Sequence, residues 1–97
     1  MMKFKKIIFK NNIEKLKINF DFIDVFSIIN QIKLDGGIFI IKVDGERMND
    51  EDIPNNSVII SGGLLQENYI RKDDDDLEKA VFEAVCEYEE KIWKKKN

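Results

Sequence analysis

Apolar residues change their spacing at Asp21, and that change decides the fold class. Up to Phe20 they alternate, and a two-residue Asn11-Asn12 turn pairs residues 3 to 10 with 13 to 20 as a hairpin. Asn tolerates the left-handed backbone such a turn requires. In that register Ile7, Phe9, Leu16, Ile18 and Phe20 share one face. Lys6, Lys10, Lys15 and Lys17 share the other, with Ile8 and Ile13 between them. After Asp21 the period lengthens. Phe22, Val25, Phe26, Ile29 and Ile32 recur at three and four, the stripe of an amphipathic helix over 22–33 with Asp21 as its N-cap.

Asp35-Gly36-Gly37 ends that helix, and 38–43 (IFIIKV) is the most β-prone run of the chain, with the composition of a central strand. Asp44-Gly45 is a second hairpin signal, from which Glu46 to Met48 are expected to pair back. NDEDIPNN then reads as loop, with Pro54 as breaker. Ser57–Ser61 is a strand, Gly62-Gly63 a turn or bulge, and Leu64–Arg71 a weaker strand clearest at Asn68–Arg71. The last segment reads as a helix from about 76 to 95. Asp75 and Glu78 stand in capping-box relation, the Asp run sits at the positive end of the helix dipole and the Lys cluster at its negative end.

No repeat and no linker interrupts this succession, so residues 1–97 are expected to form a single domain. The expected fold is α+β: a four- to five-stranded sheet, antiparallel or mixed, with two helices on one face.

Composition removes several kinds of chemistry. The chain has no His and one Cys, which excludes an internal disulfide, Cys/His zinc sites and any mechanism built on a histidine base. Ser27, Ser57 and Ser61 therefore lack an activating base. Nothing singles out two of the nineteen Asp and Glu residues as an acid/base pair, and the Gly pairs lack phosphate-cradling spacings. Asp73–Asp76 lacks the spacing of a calcium loop and reads as helix capping. No catalytic residue, metal or cofactor is expected. No apolar run approaches the ~18 residues of a membrane span, and the Lys-rich start lacks the apolar stretch and cleavage site of a signal peptide. The expected location is the cytoplasm.

The net charge of −3 hides a partition. Residues 1–20 carry six Lys against Glu14, whereas residues 21–93 carry eighteen acids against seven bases, and Lys94–Lys96 close the chain. A body at −11 does not track phosphates, so no direct nucleic-acid partner is expected, and it suits a basic protein. On the last helix Leu77, Ala80, Val81, Ala84, Val85, Tyr88 and Ile92 form the core arc. Phe82, Cys86 and Trp93 form a second stripe, bordered by Glu78 and Glu89 on one side and by Glu83 and Glu90 on the other. Either the first helix or a long loop covers this stripe, or it is an aromatic anchor with an acidic rim. Asp44, Glu46, Arg47, Asp50, Glu51 and Asp52 form a polar connection that serves either as a solvated loop or as a docking loop.

The succession Val43-Asp44-Gly45-Glu46-Arg47, then Ser57–Gly63, then Tyr69-Ile70-Arg71-Lys72-Asp73 and Asp76-Leu77-Glu78 leading to Glu87-Tyr88 resembles small bacterial immunity proteins of polymorphic-toxin and contact-dependent growth inhibition systems. The resemblance covers about residues 38 to 93. It implies a non-enzymatic protein that binds one cognate toxin domain, often a nuclease, and blocks it. The acidic body and the second stripe make Asp44, Glu46, Arg47, Asp50, Glu51, Asp52, Glu89 and Trp93 the candidate partner-binding residues, and the protein is expected to be a monomer or weak homodimer. The alternatives are an interaction module or small subunit that dimerises or docks through the C-terminal helix, and a small metal-dependent hydrolase.

Overall fold

The computed structural model describes residues 21–46 and 53–94. The N-terminal hairpin, and Arg47, Asp50, Glu51 and Asp52 of the expected docking loop, lie outside the described residues. The described chain is α+β, with two helices and a three-stranded antiparallel sheet.

Helix α1 spans Phe22–Leu34, and the Asp21 carboxylate accepts the Ile23 N–H at 2.9 Å, the expected cap. Its buried line is Val25, Ile28 and Ile32, with Ile29 partly covered. This corrects the expected stripe, because Phe26 is 63% exposed. Phe26 lies about a third of a turn from the line through 25, 28 and 32. The helix ends where the Asp35 and Gly36 N–H groups bond Gln31 O (3.0 Å) and Lys33 O (2.9 Å), and Gly36 turns the chain at φ +87°.

Strand β1 (Gly37–Val43) pairs antiparallel with β2 (Asn56–Gly62), which pairs antiparallel with β3 (Tyr69–Asp74). Glu46 was expected to begin a strand returning on β1, but it lies in the turn after it. The apolar, β-branched run around Val58–Ile60 supplies the partner instead, and the Asp44 N–H closes the ladder on Asn55 O at 2.8 Å. Among the described strands β2 lies between β1 and β3.

Leu64 and Leu65, expected to open the third strand, form instead a 3-10 turn over Gly63–Leu65 that buries Leu65, so the strand starts at Tyr69. Gly63 permits that turn: its φ is +53°, and a Cβ there would stand 2.6 Å from Asp35 O.

Helix α2 spans Leu77–Tyr88 and continues as a π-helical turn over Glu89–Trp93, so its extent matches expectation while its pitch changes near the end. Its N-cap is Asp76, whose carboxylate accepts the Lys79 N–H at 3.2 Å. The expected cap, Asp75, is engaged elsewhere. It accepts the Asn55 N–H at 3.0 Å, and its carbonyl accepts Asn56 Nδ2 at 2.9 Å, which fixes the start of α2 to the start of β2.

One core joins the elements. Val25, Ile28 and Ile32 from α1 meet Val58, Ile60 and Ile70 from the sheet and Ala80, Val81, Ala84, Val85, Tyr88 and Ile92 from the C-terminal helix. The register puts Phe39, Ile60 and Ile70 in one row, so both helices cover the same face. No helix is long and apolar enough to cross a membrane among the described residues.

Candidate functional site

The second stripe of the C-terminal helix turns inward. Phe82, Cys86 and Trp93 are partly buried against the core. The indole N–H of Trp93 donates to Asp35 Oδ2 at 2.9 Å, and the phenol of Tyr88 donates to the same oxygen at 3.0 Å. The two rings meet edge to face, centroids 5.1 Å apart. The stripe is thus neither fully covered nor fully open: all three residues are partly buried, and Asp35 at the end of α1 holds Trp93. Burial and the Asp35 carboxylate together raise the Tyr88 pKa far above its ordinary value.

Glu89, expected on an acidic rim, is only 4% exposed, and Lys94 Nζ lies 3.6 Å from its carboxylate. The π-turn brings this residue inward, and a partner cannot reach it as a surface charge. Asp44 also serves the fold. Its carboxylate accepts the Glu46 N–H at 3.0 Å and lies 3.9 Å from Lys42 Nζ, an arrangement that shapes the turn after β1. Glu46 itself is exposed.

The other acids divide in the same way. Asp73 accepts Ser57 Oγ at 2.5 Å and Arg71 Nε at 3.1 Å. Asp74 accepts the Asp76 N–H at 2.9 Å and lies 3.5 Å from Lys79 Nζ; that backbone donor, then the lysine charge, lowers its pKa. Glu87 binds Lys72 at 2.7 Å and Lys91 at 2.9 Å, and the hydrogen bonds from these two lysines lower its pKa. Asp21, Asp35, Asp75 and Asp76 are occupied as described above.

What remains on the C-terminal helix is Glu78, Glu83 and Glu90, all exposed and without an ion pair among the described residues. Glu78 and Glu83 lie on α2 and Glu90 on the π-helical turn after it. The sequence reading placed Glu78, Glu83 and Glu90 on the rim of the stripe, and all three are exposed. Asp35 was read only as part of a turn, because a contact spanning 58 residues leaves no local pattern.

The sheet face opposite the helices is the second open surface. The rows Ile38–Ser61–Tyr69 and Ile40–Ile59–Arg71 run across it, with Ile38, Ile40, Tyr69 and Arg71 exposed. Among the described residues no group of three or more Asp, Glu or Cys is arranged to hold a metal ion. No protein-family model matches the chain, and neither a curated protein nor a solved structure is significantly similar to it.

Proposed function

We propose that this protein is an immunity protein that neutralises a cognate toxin domain by one-to-one binding, acting in the cytoplasm and without catalysis. The observation that carries this reading is the division of the acids. Most described carboxylates cap helices, close turns or pair with lysines, whereas Glu78 and Glu83 of α2 and Glu90 of the turn after it are exposed and form no hydrogen bond or ion pair among the described residues. A surface of this kind meets a basic groove, such as the substrate groove of a nuclease, and long-range attraction accelerates the encounter. The exposed Glu46, with Asp50 and Asp52 that follow it in sequence, is proposed to add further negative charge, while Trp93 and Glu89 serve the fold.

The test is co-expression with the product of the gene immediately upstream, which the reading expects to be a large secreted protein with a variable C-terminal domain. The expected result is a one-to-one complex whose association slows at high salt and on Glu83→Lys with Glu90→Lys, or on Glu46→Lys with Asp50→Lys and Asp52→Lys. Absence of such a gene or complex, or a complex indifferent to both sets of reversals, overturns the reading.

A further inference from the structure

The turn that follows α2 departs from the geometry its own residues prefer. Glu89, Glu90 and Lys91 are good α-helix formers, yet the Lys94 N–H donates to Glu89 O at 2.8 Å, five residues back, and the turn is π-helical. Such turns are rare, so contacts from outside the turn must favour this one.

Two side-chain relationships depend on the π register. Tyr88 and Trp93 stand five apart, and both donate to Asp35 Oδ2, at 3.0 and 2.9 Å. Glu89 and Lys94 also stand five apart, with Lys94 Nζ 3.6 Å from the carboxylate. In an α-helix, side chains five apart are separated by about 140° around the axis, so neither pair would meet on one side. A turn closed by an i→i+5 bond brings both pairs into line. The two contacts differ in strength. The Lys94 side chain is 54% exposed, and solvent weakens its ion pair. Asp35 and Trp93 are half-buried and Tyr88 is buried, and their hydrogen bonds are charge-assisted.

We propose that residues 89–94 form a two-register turn whose register is set by the Asp35 carboxylate. While Asp35 accepts both donors, the turn is π-helical and Trp93 packs edge to face on Tyr88. Without that acceptor the segment takes the α register, and the Lys94 N–H moves to the Glu90 carbonyl. Trp93 is then carried away from Asp35 and falls within about 20° of both Phe82 and Cys86 around the helix axis. Those two side chains are themselves only partly buried, so the α register assembles all three into one line. Ile92 stays within about 40° of Tyr88 in either register, which keeps its place on the core side. The register therefore decides whether Trp93 closes the core at the end of α1 or joins an apolar line along the C-terminal helix. This device does not depend on the binding function proposed above.

Scalar couplings across hydrogen bonds, measured by NMR on the full chain, test the proposal. The wild type should show coupling between the Lys94 amide and the Glu89 carbonyl carbon. Trp93→Phe keeps an aromatic ring and the Tyr88–Asp35 bond but removes the indole donor. In that variant the coupling should be lost and replaced by one to the Glu90 carbonyl, with ring contacts from position 93 to Phe82 and Cys86. Asp35→Ala should give the same change, and Lys94→Met should keep the Glu89 coupling. A Glu90 coupling in the wild type, a Glu89 coupling retained in Trp93→Phe, or its loss in Lys94→Met overturns the proposal. The wild type and Trp93→Phe decide even where Asp35→Ala does not fold.

Discussion

Asp35 accepts the indole N–H of Trp93 at 2.9 Å, joining the turn after α1 to the π-helical turn after α2 across 58 residues of sequence. The oxygen involved also accepts the Tyr88 hydroxyl, and Gln31 Nε2 donates to the other oxygen at 3.2 Å. One carboxylate thus connects both helices and orients the aromatic pair that closes the core.

Replacing Asp35 with Ala should destabilise the fold by about 3 kcal/mol, because it leaves two partly buried donors without their charged acceptor. Denaturant unfolding measures the loss, and Trp93 fluorescence should shift to the red in the folded state. Asp35→Asn keeps a carbonyl acceptor and should cost less. Equal losses in the two variants would show that the charge and the hydrogen bonds are immaterial.

The turn beside Asp35 gives a second prediction. A Cβ on Gly63 would stand 2.6 to 2.8 Å from the backbone of Asp35, Gly36 and Gly37, at a positive φ. Backbone cannot yield as a flexible side chain does, so Gly63→Ala should cost more than about 2 kcal/mol. Gly45 has nothing within 4 Å of its missing Cβ, and Gly45→Ala should fall within about 0.5 kcal/mol of wild type. Chemical denaturation of the two variants side by side is the check.

Acid stability should depend on Glu87. Its folded pKa is lowered by hydrogen bonds from Lys72 and Lys91, so its contribution is complete above the ordinary glutamate pKa of about 4.3 and disappears as the pH falls through the lower folded value. The side chain is 28% exposed, and solvent keeps the gain at about 1 kcal/mol or below. Glu87→Gln should flatten the loss of stability between about pH 5 and 3. A carboxyl titration of Glu87 at or above the ordinary value would contradict it.

Local pattern carried much of the fold. The Asp21 cap, the Val58–Ile60 strand and the C-terminal helix follow from short-range chemistry: a carboxylate before an apolar stripe, a β-branched run between polar residues, charges matched to a helix dipole. The departures lie where distant groups competed. Asp75 lost the cap to Asp76 because Asn55 and Asn56 hold it. Phe26 lost its core position to Ile28 because the tertiary face of α1 is rotated from the widest apolar arc. For the candidate site, charge was legible but its use was not. The sequence shows acids in abundance, and only the fold separates Asp44 and Glu89, which hold structure, from Glu83 and Glu90, which face solvent.

At high pH the decisive group should be Tyr88. Burial first, and then the Asp35 carboxylate, disfavour the phenolate, so the folded pKa lies far above the ordinary tyrosine value of about 10. A raised pKa means that the contribution of Tyr88 is complete below about pH 10 and declines as the pH rises beyond it, because only the unfolded chain releases the proton readily. Alkaline unfolding should therefore accompany Tyr88 ionisation, with phenolate absorbance and loss of Trp93 fluorescence changing together. Tyr88→Phe should be less stable at neutral pH by about 1 kcal/mol, through loss of one hydrogen bond to a carboxylate, and its stability should fall less steeply above pH 10. Tyr88 phenolate forming in a protein that remains folded, with Trp93 unperturbed, would show that the Asp35 junction opens without the rest of the core.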